Sequence, residues 1–269
     1  MIQDLIFHGE RRNKMDYIKE FIPVIKNLSQ KIIHEFSCDR NIEEKSEKNY
    51  VTDLDFKIQE DIIEAILQID PAANFISEEM YNSRDYTSYW IIDPIDGTTN
   101  LIHKYDSICI SVARVIDEIT VFGCVACPNT GEIFYAIKDS GAFLLKNGIT
   151  KRITVSNNVL QKSLVGFGFP YDRTKIPALL ELIDRTIIVC DDMKRKGPAS
   201  LDMCYVACGR LDAYFELDLQ RWDYAAGQLI VNEAGGKTSV VSNKKLMIDK
   251  IFVASNSESY NDVAGIVSK

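Results

Sequence analysis

The sequence lacks any long apolar segment: no stretch approaches the roughly 18 consecutive apolar residues of a membrane-spanning helix. We therefore expect no membrane interaction. The opening residues, MIQDLIFHGERR, include an acid and no apolar core, which is unlike a signal peptide. Seven cysteines, an odd number, are scattered through 269 residues. That pattern is typical of a reducing compartment rather than of a disulfide framework, so we expect a cytoplasmic protein.

The sequence also lacks an excess of basic residues and is poor in histidine. Its net charge of -8 argues against a generic nucleic-acid surface, so charge does not support a nucleic-acid or transcription-machinery partner. This net charge is still compatible with a local basic pocket for a phosphorylated small molecule. His8, His34 and His103 lie outside the acidic motifs described below, and we interpret them as surface or structural residues. Cys124 and Cys127 form a single C-x-x-C pair in an apolar stretch, which we interpret as buried thiols rather than a metal site.

In the first half of the chain, hydrophobic periodicity predicts two helices followed by a series of strands. A helix is predicted within residues 16–36, where Pro23 marks a start or a kink, and a second helix follows the capping-box-like TDLD at 52–55. Between them, residues 41–50 are predicted to form a loop or a short hairpin. The strands predicted after the second helix include an antiparallel set joined by turns, and they lie at 72–79, 88–93, 108–115, 119–127 and 132–137.

After residue 163 the pattern changes to short strands that alternate with helices. Strands are predicted at 163–169, 186–190, 212–217 and 251–255. Helices are predicted near 177–185, 200–209 and 224–236, and a short helix closes the chain. We therefore predict an α+β protein in which an antiparallel α+β half, residues 1–153, precedes a more α/β-like half, residues 154–269. The two halves are expected to form one compact catalytic unit.

One stretch, WIIDPIDGTTN at residues 90–100, points to chemistry. The strand YWII would deliver Asp93 at its end, and Pro94, which has no amide hydrogen, is predicted to stop strand pairing. Asp96 then turns to converge with Asp93, and the Ile95 carbonyl provides a third oxygen between them. Mg²⁺ suits such an oxygen-rich set, although a D-x-x-D turn after a strand is also common without a metal.

The residues after this turn suit a phosphate group. Gly97 allows a ligand to approach the main chain closely, and residues 98–100 can cap a helix whose free N–H groups favour phosphate. Further acids stand at strand ends or helix starts, from which they can converge on the turn: Asp55, Glu78, Glu79 and Asp223. We therefore predict a site for a divalent metal and a phosphate.

Three motifs together resemble the inositol monophosphatase family of Mg²⁺-dependent, lithium-sensitive phosphatases: ISEE, WIIDPIDGTTN and QRWDYAAGQLIVNEAGG. The resemblance extends from about residue 16 to residue 256, and the GFGFPYDR stretch is more similar to bacterial members. It implies a layered αβαβα sandwich, a homodimer, and two or three Mg²⁺ ions per site. It also implies hydrolysis of myo-inositol monophosphates and similar small polyol phosphates by an in-line attack of water.

The resemblance implies a metal-binding role for one group of residues. Glu78, Asp93 and the Ile95 carbonyl would hold the first ion, and Asp93, Asp96 and Asp223 would hold the second. Glu78 would also support a third, weaker ion.

Catalytic and substrate-binding roles follow from the same resemblance. Thr98, oriented by Asp55, would polarise the attacking water, so Thr98, Asp55 and Glu78 are the expected catalytic residues. The residues expected to contact substrate are Lys45, Asp96, Gly97, Thr98, Ala199 and Glu216.

The sequence departs from the family pattern at a few positions. Ser77 stands where many relatives have glycine, and Pro198 replaces a small hydroxyl residue in the loop that holds Ala199. Residues 194–196, Lys-Arg-Lys, make this loop basic. A basic loop could favour a second phosphate on the substrate, or it could be an ordinary solvated loop.

Other functions stay open. The alternative substrates within the superfamily are fructose 1,6-bisphosphate, NADP and 3′-phosphoadenosine 5′-phosphate. An alternative of another class is a regulatory binding protein that retains the fold, because some bacterial relatives are linked to transcription and ribosome assembly.

Overall fold

A computed structural model describes residues 14–38, 40–46, 49–80 and 87–269, so the interpretation of His8 falls outside the described residues. None of the helices in these ranges combines the length and the apolar content needed to cross a membrane. The helices are α1 (Lys14–Glu35), α2 (Asp53–Ile69), α3 (Thr98–Ile102), α4 (Ile176–Ile187), α5 (Ala199–Ala207), α6 (Arg221–Glu233) and α7 (Tyr260–Ser268).

The strands form a hairpin and two larger sheets. They are β1 (Ile42–Ser46), β2 (Asn49–Thr52), β3 (Phe75–Ser77), β4 (Ser88–Asp96), β5 (Cys109–Ile116), β6 (Ile119–Cys127), β7 (Glu132–Ile137), β8 (Gly141–Lys146), β9 (Ile149–Ile153), β10 (Leu164–Phe167), β11 (Asp192–Lys194), β12 (Ala213–Leu217), β13 (Lys237–Asn243) and β14 (Ile248–Ser255).

The larger sheet has seven strands in chain order, β3 to β9. Only its first pair, β3 and β4, is parallel, and each later strand runs antiparallel to its neighbour. The antiparallel set predicted from the sequence is therefore confirmed. Strands β8 and β9 extend this set beyond the strands that the sequence analysis predicts.

The smaller sheet has five strands in the order β11-β10-β12-β14-β13. Strands β11, β10 and β12 are parallel, with α4 and α5 in the crossovers, whereas β14 runs antiparallel to β12 and β13. The larger sheet ends at Ile153 and the smaller one begins at Leu164. The division at residue 153 into two halves of one catalytic unit stays a prediction.

Among the described residues, three hydrophobic cores hold the layers together. Helices α1 and α2 pack on one face of the larger sheet, where Ile58 of α2 and Trp90 of β4 belong to the same core. Helices α5 and α6 lie between the sheets, where Ala226 belongs to a core shared with Phe252 of the smaller sheet. Helices α4 and α7 cover the outer face of the smaller sheet. This αβαβα order confirms the α+β sandwich predicted from the sequence.

Residues 186–190 do not form the predicted strand, because α4 continues to Ile187 and the strand beside β10 is β11. Leu179, Leu182 and Thr186 are the buried residues of α4, and their spacing is helical. The Thr186 hydroxyl also donates to the Leu182 carbonyl at 2.7 Å. Burial of one face of the helix therefore outweighs the strand preference of these β-branched residues. Ile188, which follows the last residue of α4, is 75% exposed.

Strand β4 does not stop at Pro94 as predicted. It continues to Asp96, which pairs with Cys109 of β5, and the register shifts between Asp93 and Asp96. Pro94 lies inside this irregular segment, where a missing amide hydrogen removes no regular ladder bond. Both aspartates thus belong to one strand, on either side of its irregular segment.

Helix α6 approaches β6 very closely at Gly123. A Cβ atom at this position would lie 2.9 Å from the carbonyl oxygen and 3.0 Å from the Cα atom of Ala226. The contact is with backbone, which cannot rotate away, so only glycine allows this separation between α6 and the sheet. Because α6 also holds Asp223, this contact helps to fix where that carboxylate lies.

We predict that Gly123→Ala lowers the free energy of unfolding by about 1–3 kcal/mol, because the added methyl group forces α6 from the sheet. Urea denaturation measures the change. Gly265→Ala is the matched control: Gly265 lies in α7 with no atom within 4 Å of an added Cβ. The same substitution there should stabilise the protein by about 0.5–1 kcal/mol. Equal effects at the two positions would contradict the proposed close packing.

Candidate active site

A cleft of about 280 Å³ collects residues from distant parts of the chain. Two loops of the smaller-sheet half, 168–173 and 195–199, contribute to its wall, as does the turn between β4 and α3. Many of the residues for which the sequence predicts a role line it: Asp96, Gly97, Thr98, Ala199, Glu216 and Asp223.

Asp93 is the most deeply buried of the predicted carboxylate ligands, with 1% of its surface exposed. Burial, together with repulsion from Glu78, Asp96 and Asp223, raises the pKa of Asp93 well above its usual value. These four carboxylates therefore lie near enough to repel one another. Among the described residues, Asp93 Oδ1 has no hydrogen-bond partner.

Asp96 and Asp223 are each held by a backbone amide at the start of a helix. Asp96 Oδ2 accepts hydrogen bonds from the Ser200 amide at 2.9 Å and from the Ser200 hydroxyl. Burial raises the pKa of Asp96 to about 6, and the bonds from Ser200 oppose that change. Asp223 Oδ2 accepts from the Gln220 amide at 2.6 Å and so caps its own helix α6.

Asp55 links the start of α2 to the turn after β4. One of its oxygens accepts from the Thr52 amide at 2.8 Å, as in the capping box expected from the sequence, and it also accepts from the Thr52 hydroxyl. Its other oxygen lies 2.9 Å from Thr98 Oγ1, which is also 3.2 Å from the Ile95 carbonyl oxygen. The contact required by the expected role of Thr98 is present, while the role itself stays a prediction.

Lys45 comes from β1 and bridges two glutamates. Its Nζ atom lies 2.8 Å from Glu78 Oε1 and 2.8 Å from Glu79 Oε1. Burial raises the pKa of Glu79 to about 7, because its side chain is only 2% exposed and Lys45 offsets only part of that effect. The hairpin of β1 and β2 thus brings a cation directly to a predicted metal ligand.

Glu216 faces the cleft from β12 and is held by the same strand. The Tyr214 hydroxyl donates to Glu216 Oε2, and the two residues lie on one face of the strand because they are two positions apart. Burial raises the pKa of Glu216 to about 8. The carboxylate occupies the space where a Cβ atom of residue 168 would lie, so the glycine at this position makes room for it.

Whether these residues suit a metal depends on their donor atoms. Within the ranges that the structure describes, no three histidine, cysteine, aspartate or glutamate side chains form a ready-made metal cage. Three of the predicted ligands have other partners: Lys45 contacts Glu78, Ser200 donates to Asp96, and the Gln220 amide donates to Asp223. The donors are nevertheless all oxygens, and the buried Asp93 oxygen lacks a partner among the described residues. This set fits a hard divalent cation such as Mg²⁺.

Comparison with known proteins identifies the family. A model of the inositol monophosphatase family matches residues 14–268. The chain belongs to this family. Nus factor SuhB of Pasteurella multocida is 38% identical over 195 residues, which cover 71% of this chain and 72% of the relative. Inositol monophosphatase of Dictyostelium discoideum is 33% identical over 229 residues, 82% of this chain and 83% of the relative.

Solved structures agree with this assignment. The crystal structure of extragenic suppressor protein suhB from Bartonella henselae matches with a TM-score of 0.85 at 27% identity, and the match covers 94% of this chain and 99% of that one. The resemblance to the inositol monophosphatase family, including its bacterial members, is therefore confirmed.

The sequence analysis missed several residues that support this family's predicted site. Ser200 holds Asp96 from 104 positions away, and no local signal indicates that contact. Tyr214 could have been found, because a hydroxyl two positions before an acid on a strand lies on the same face. Elsewhere, His34 and His103 are exposed and Cys124 and Cys127 are buried free thiols.

We predict that Gly168→Ala destabilises the protein by about 1 kcal/mol, because the new methyl group pushes the Glu216 carboxylate, the end of a flexible side chain, away from its Tyr214 partner. The free energy of unfolding measures this cost. In a Glu216→Asp background the shorter side chain withdraws the carboxylate, so Gly168→Ala should cost less than half as much. An equal cost in both backgrounds would show that Glu216 is not the group in contact.

Proposed function

We propose that this protein is a Mg²⁺-dependent phosphomonoesterase that hydrolyses myo-inositol monophosphates and similar small polyol phosphates. The observation that carries the proposal is the buried Asp93 oxygen without a partner among the described residues. Asp96 and Asp223, which line the cleft, are among the carboxylates that repel it. Oxygen donors beside a cleft are what a metal-dependent phosphatase requires. Membership in the inositol monophosphatase family and the 33% identical Dictyostelium discoideum enzyme support it.

The metal would be held by the oxygens expected from the sequence: Glu78, Asp93, Asp96, Asp223 and the Ile95 carbonyl. We propose two or three Mg²⁺ ions, which when bound lower the pKa of a water molecule and neutralise charge on the phosphate and the leaving group. Lys45 contacts Glu78 directly, so its ammonium group must share or yield this carboxylate when an ion binds.

Thr98 and Asp55 would prepare the attacking water. The Thr98 hydroxyl has one hydrogen, which Asp55 Oδ1 accepts at 2.9 Å. The lone pairs of Thr98 Oγ1 are then available to accept a hydrogen from water. Burial raises the pKa of Asp55, so its carboxylate can take up a proton passed through Thr98.

The substrate would be oriented by groups on both sides of the cleft. The Gly97 and Thr98 amides are proposed to bind a phosphate oxygen, and Gly97 has a positive φ of 100° that opens the main chain to a ligand. Glu216 would accept hydrogen bonds from substrate hydroxyls, and Ala199 would pack beside the inositol ring of the substrate. Asp96 lines the same cleft. The homodimer and the cytoplasmic location stay predictions.

We predict that purified protein releases phosphate from myo-inositol 1-phosphate only when Mg²⁺ is present. Activity should be lost with EDTA, return when excess Mg²⁺ is added, and fall in millimolar lithium. A panel that also contains fructose 1,6-bisphosphate, NADP and 3′-phosphoadenosine 5′-phosphate ranks the alternatives. Full activity in EDTA would reject the metal assignment, and turnover of NADP alone would reject the substrate assignment.

We predict that Thr98→Ala lowers kcat by roughly 100-fold or more, because the attacking water loses its hydrogen-bond acceptor. Thr98→Ser keeps the hydroxyl group and should retain most of the activity. Steady-state kinetics with Mg²⁺ and myo-inositol 1-phosphate measure both variants. If the serine variant is as impaired as the alanine variant, the methyl group rather than the hydroxyl is what the site needs.

A regulatory binding role is the second candidate, favoured by the relatives named Nus factor SuhB, one of which is 38% identical. Such a role would survive the loss of catalysis. In a strain that lacks the gene, the Asp93→Asn variant separates the two functions. Restoration of every phenotype by this variant would favour binding, whereas failure to restore any of them would favour the phosphatase.

A further inference from the structure

One residue of helix α5 holds Asp96 through two donors. Ser200 donates to Asp96 Oδ2 through its amide at 2.9 Å and also through its hydroxyl group. The amide belongs to the first turn of α5, where N–H groups have no acceptor within the helix. A carboxylate is favourable at this end of a helix. The amide contact thus explains why α5 begins beside Asp96, whereas the hydroxyl group needs a separate explanation.

The Ser200 hydroxyl lies in an apolar environment. Ser200 is fully buried, and its neighbours Ala199 and Leu201 both belong to the core between the sheets. A buried hydroxyl group lowers stability unless it is hydrogen-bonded, and alanine has the higher helix propensity. Alanine would therefore serve packing and helix formation at this position. What the hydroxyl group adds is its contact with Asp96.

Cys109 of β5 fixes the direction of this hydrogen bond. Its Sγ atom lies 3.2 Å from Ser200 Oγ and 4.0 Å from Asp96 Oδ2, and Cys109 pairs with Asp96 across β4 and β5. Cys109 is a buried free cysteine, and such a residue keeps its hydrogen and is a weak donor. A carboxylate oxygen is a much better acceptor than a sulfur atom. The Ser200 hydroxyl therefore donates to Asp96 and accepts from the Cys109 thiol.

These contacts occupy one of the two carboxylate oxygens of Asp96. Each carboxylate oxygen has about two lone-pair positions, and the amide and hydroxyl groups of Ser200 both donate to Oδ2. The Ala199 amide also stabilises the charged carboxylate. One further hydrogen bond still leaves Oδ1 with a lone pair. Because Asp96 lines the cleft, Oδ1 is the oxygen that it can offer to a cation.

We propose that Ser200 and Cys109 are positioning residues that make Asp96 a one-oxygen ligand, and that they thereby favour Mg²⁺ over Ca²⁺ at the proposed metal site. This inference rests on the proposed function and deepens it. Ca²⁺ takes more oxygen ligands than Mg²⁺ and binds carboxylates through one or both oxygens, whereas Mg²⁺ requires nearly octahedral geometry. The two oxygens of one carboxylate lie too close together to fill two octahedral positions well. A carboxylate with one oxygen already engaged is therefore matched to Mg²⁺.

Asp96 differs in this respect from the other proposed ligands. Asp223 Oδ2 accepts one hydrogen bond from the described residues, that of the Gln220 amide, and Asp93 Oδ1 has no partner among them. The two oxygens of Asp96 are thus made unequal by two donors from a single residue. Loss of the Ser200 hydroxyl group should alter the cation preference of the site through Asp96.

The test measures the affinity of the metal-free protein for Mg²⁺ and for Ca²⁺ by calorimetry, with no substrate present. In Ser200→Ala the amide contact stays and the hydroxyl contact is lost, so Asp96 Oδ2 becomes available to Ca²⁺. The ratio of the Kd for Ca²⁺ to the Kd for Mg²⁺ should fall roughly tenfold or more, as is typical when a contact to a metal ligand is lost. A general loss of structure would weaken the binding of both ions and leave this ratio unchanged.

Ser163→Ala is the matched control. Ser163 is also fully buried, its hydroxyl group donates to the Val159 carbonyl at 3.0 Å, and it does not line the cleft. The ratio of the two Kd values should therefore stay at the wild-type value in this variant.

Variants of Cys109 test the part of the thiol. Cys109→Ala should lower the same ratio by a smaller factor, roughly two- to threefold, because a thiol is a weak donor. Cys109→Ser keeps a donor beside Ser200 Oγ and should leave the ratio close to the wild-type value. In a Ser200→Ala background, Cys109→Ala should cause no further change, because the thiol acts through the hydroxyl group.

An unchanged ratio in Ser200→Ala would overturn the inference, and so would an equal fall in Ser163→Ala. Independent effects of the substitutions at positions 109 and 200 would reject the action of the thiol through Ser200.

Failure of the proposed function gives a different result. If the wild-type protein binds Mg²⁺ but hydrolyses no phosphate ester, the proposed activity is wrong and the calorimetry still decides the inference. If the wild-type protein binds neither ion, both proposals are rejected. Mg²⁺-dependent hydrolysis together with an unchanged ratio in Ser200→Ala rejects the inference alone.

Discussion

Buried carboxylates that repel one another are the constraint on which the rest of this structure depends. Burying a charge without a partner is costly, and the fold meets that cost with backbone amides at element starts. Thr52 serves Asp55 in this way, and Gln220 serves Asp223. Asp93 is different, since one of its oxygens has no partner in the described ranges. A cluster of this kind lowers the stability of the fold, which is typical of a functional site.

The packing of the layers fixes the positions of these carboxylates. Helices α5 and α6 lie between the two sheets and begin at the cleft, where Ser200 and Asp223 belong to their first turns. Because α6 touches β6 with no room for a side chain at Gly123, a shift of the helix would move a carboxylate. Packing density in the core is therefore coupled to the position of proposed ligands.

The sequence predicts the local parts of this arrangement better than its long-range parts. The capping box at Asp55 and the helical spacing of α2 depend on residues close together in the chain, so the sequence alone identifies them. The strand predicted at residues 186–190 was wrong because Thr186 is buried at helical spacing in α4, whereas Ile187 and Ile188, at the end of the helix, are exposed. The contact from Ser200 to Asp96 depends on how α5 meets β4, and no spacing in the sequence encodes it.

The residues near the cleft come from two separate parts of the fold. The proposed metal ligands come mainly from the larger sheet and α6, whereas Arg173 and Arg195 lie on loops after parallel strands of the smaller sheet. Loops tolerate substitution because few buried contacts depend on them. Charge at the edge of the smaller sheet can therefore vary without disturbing the buried acids.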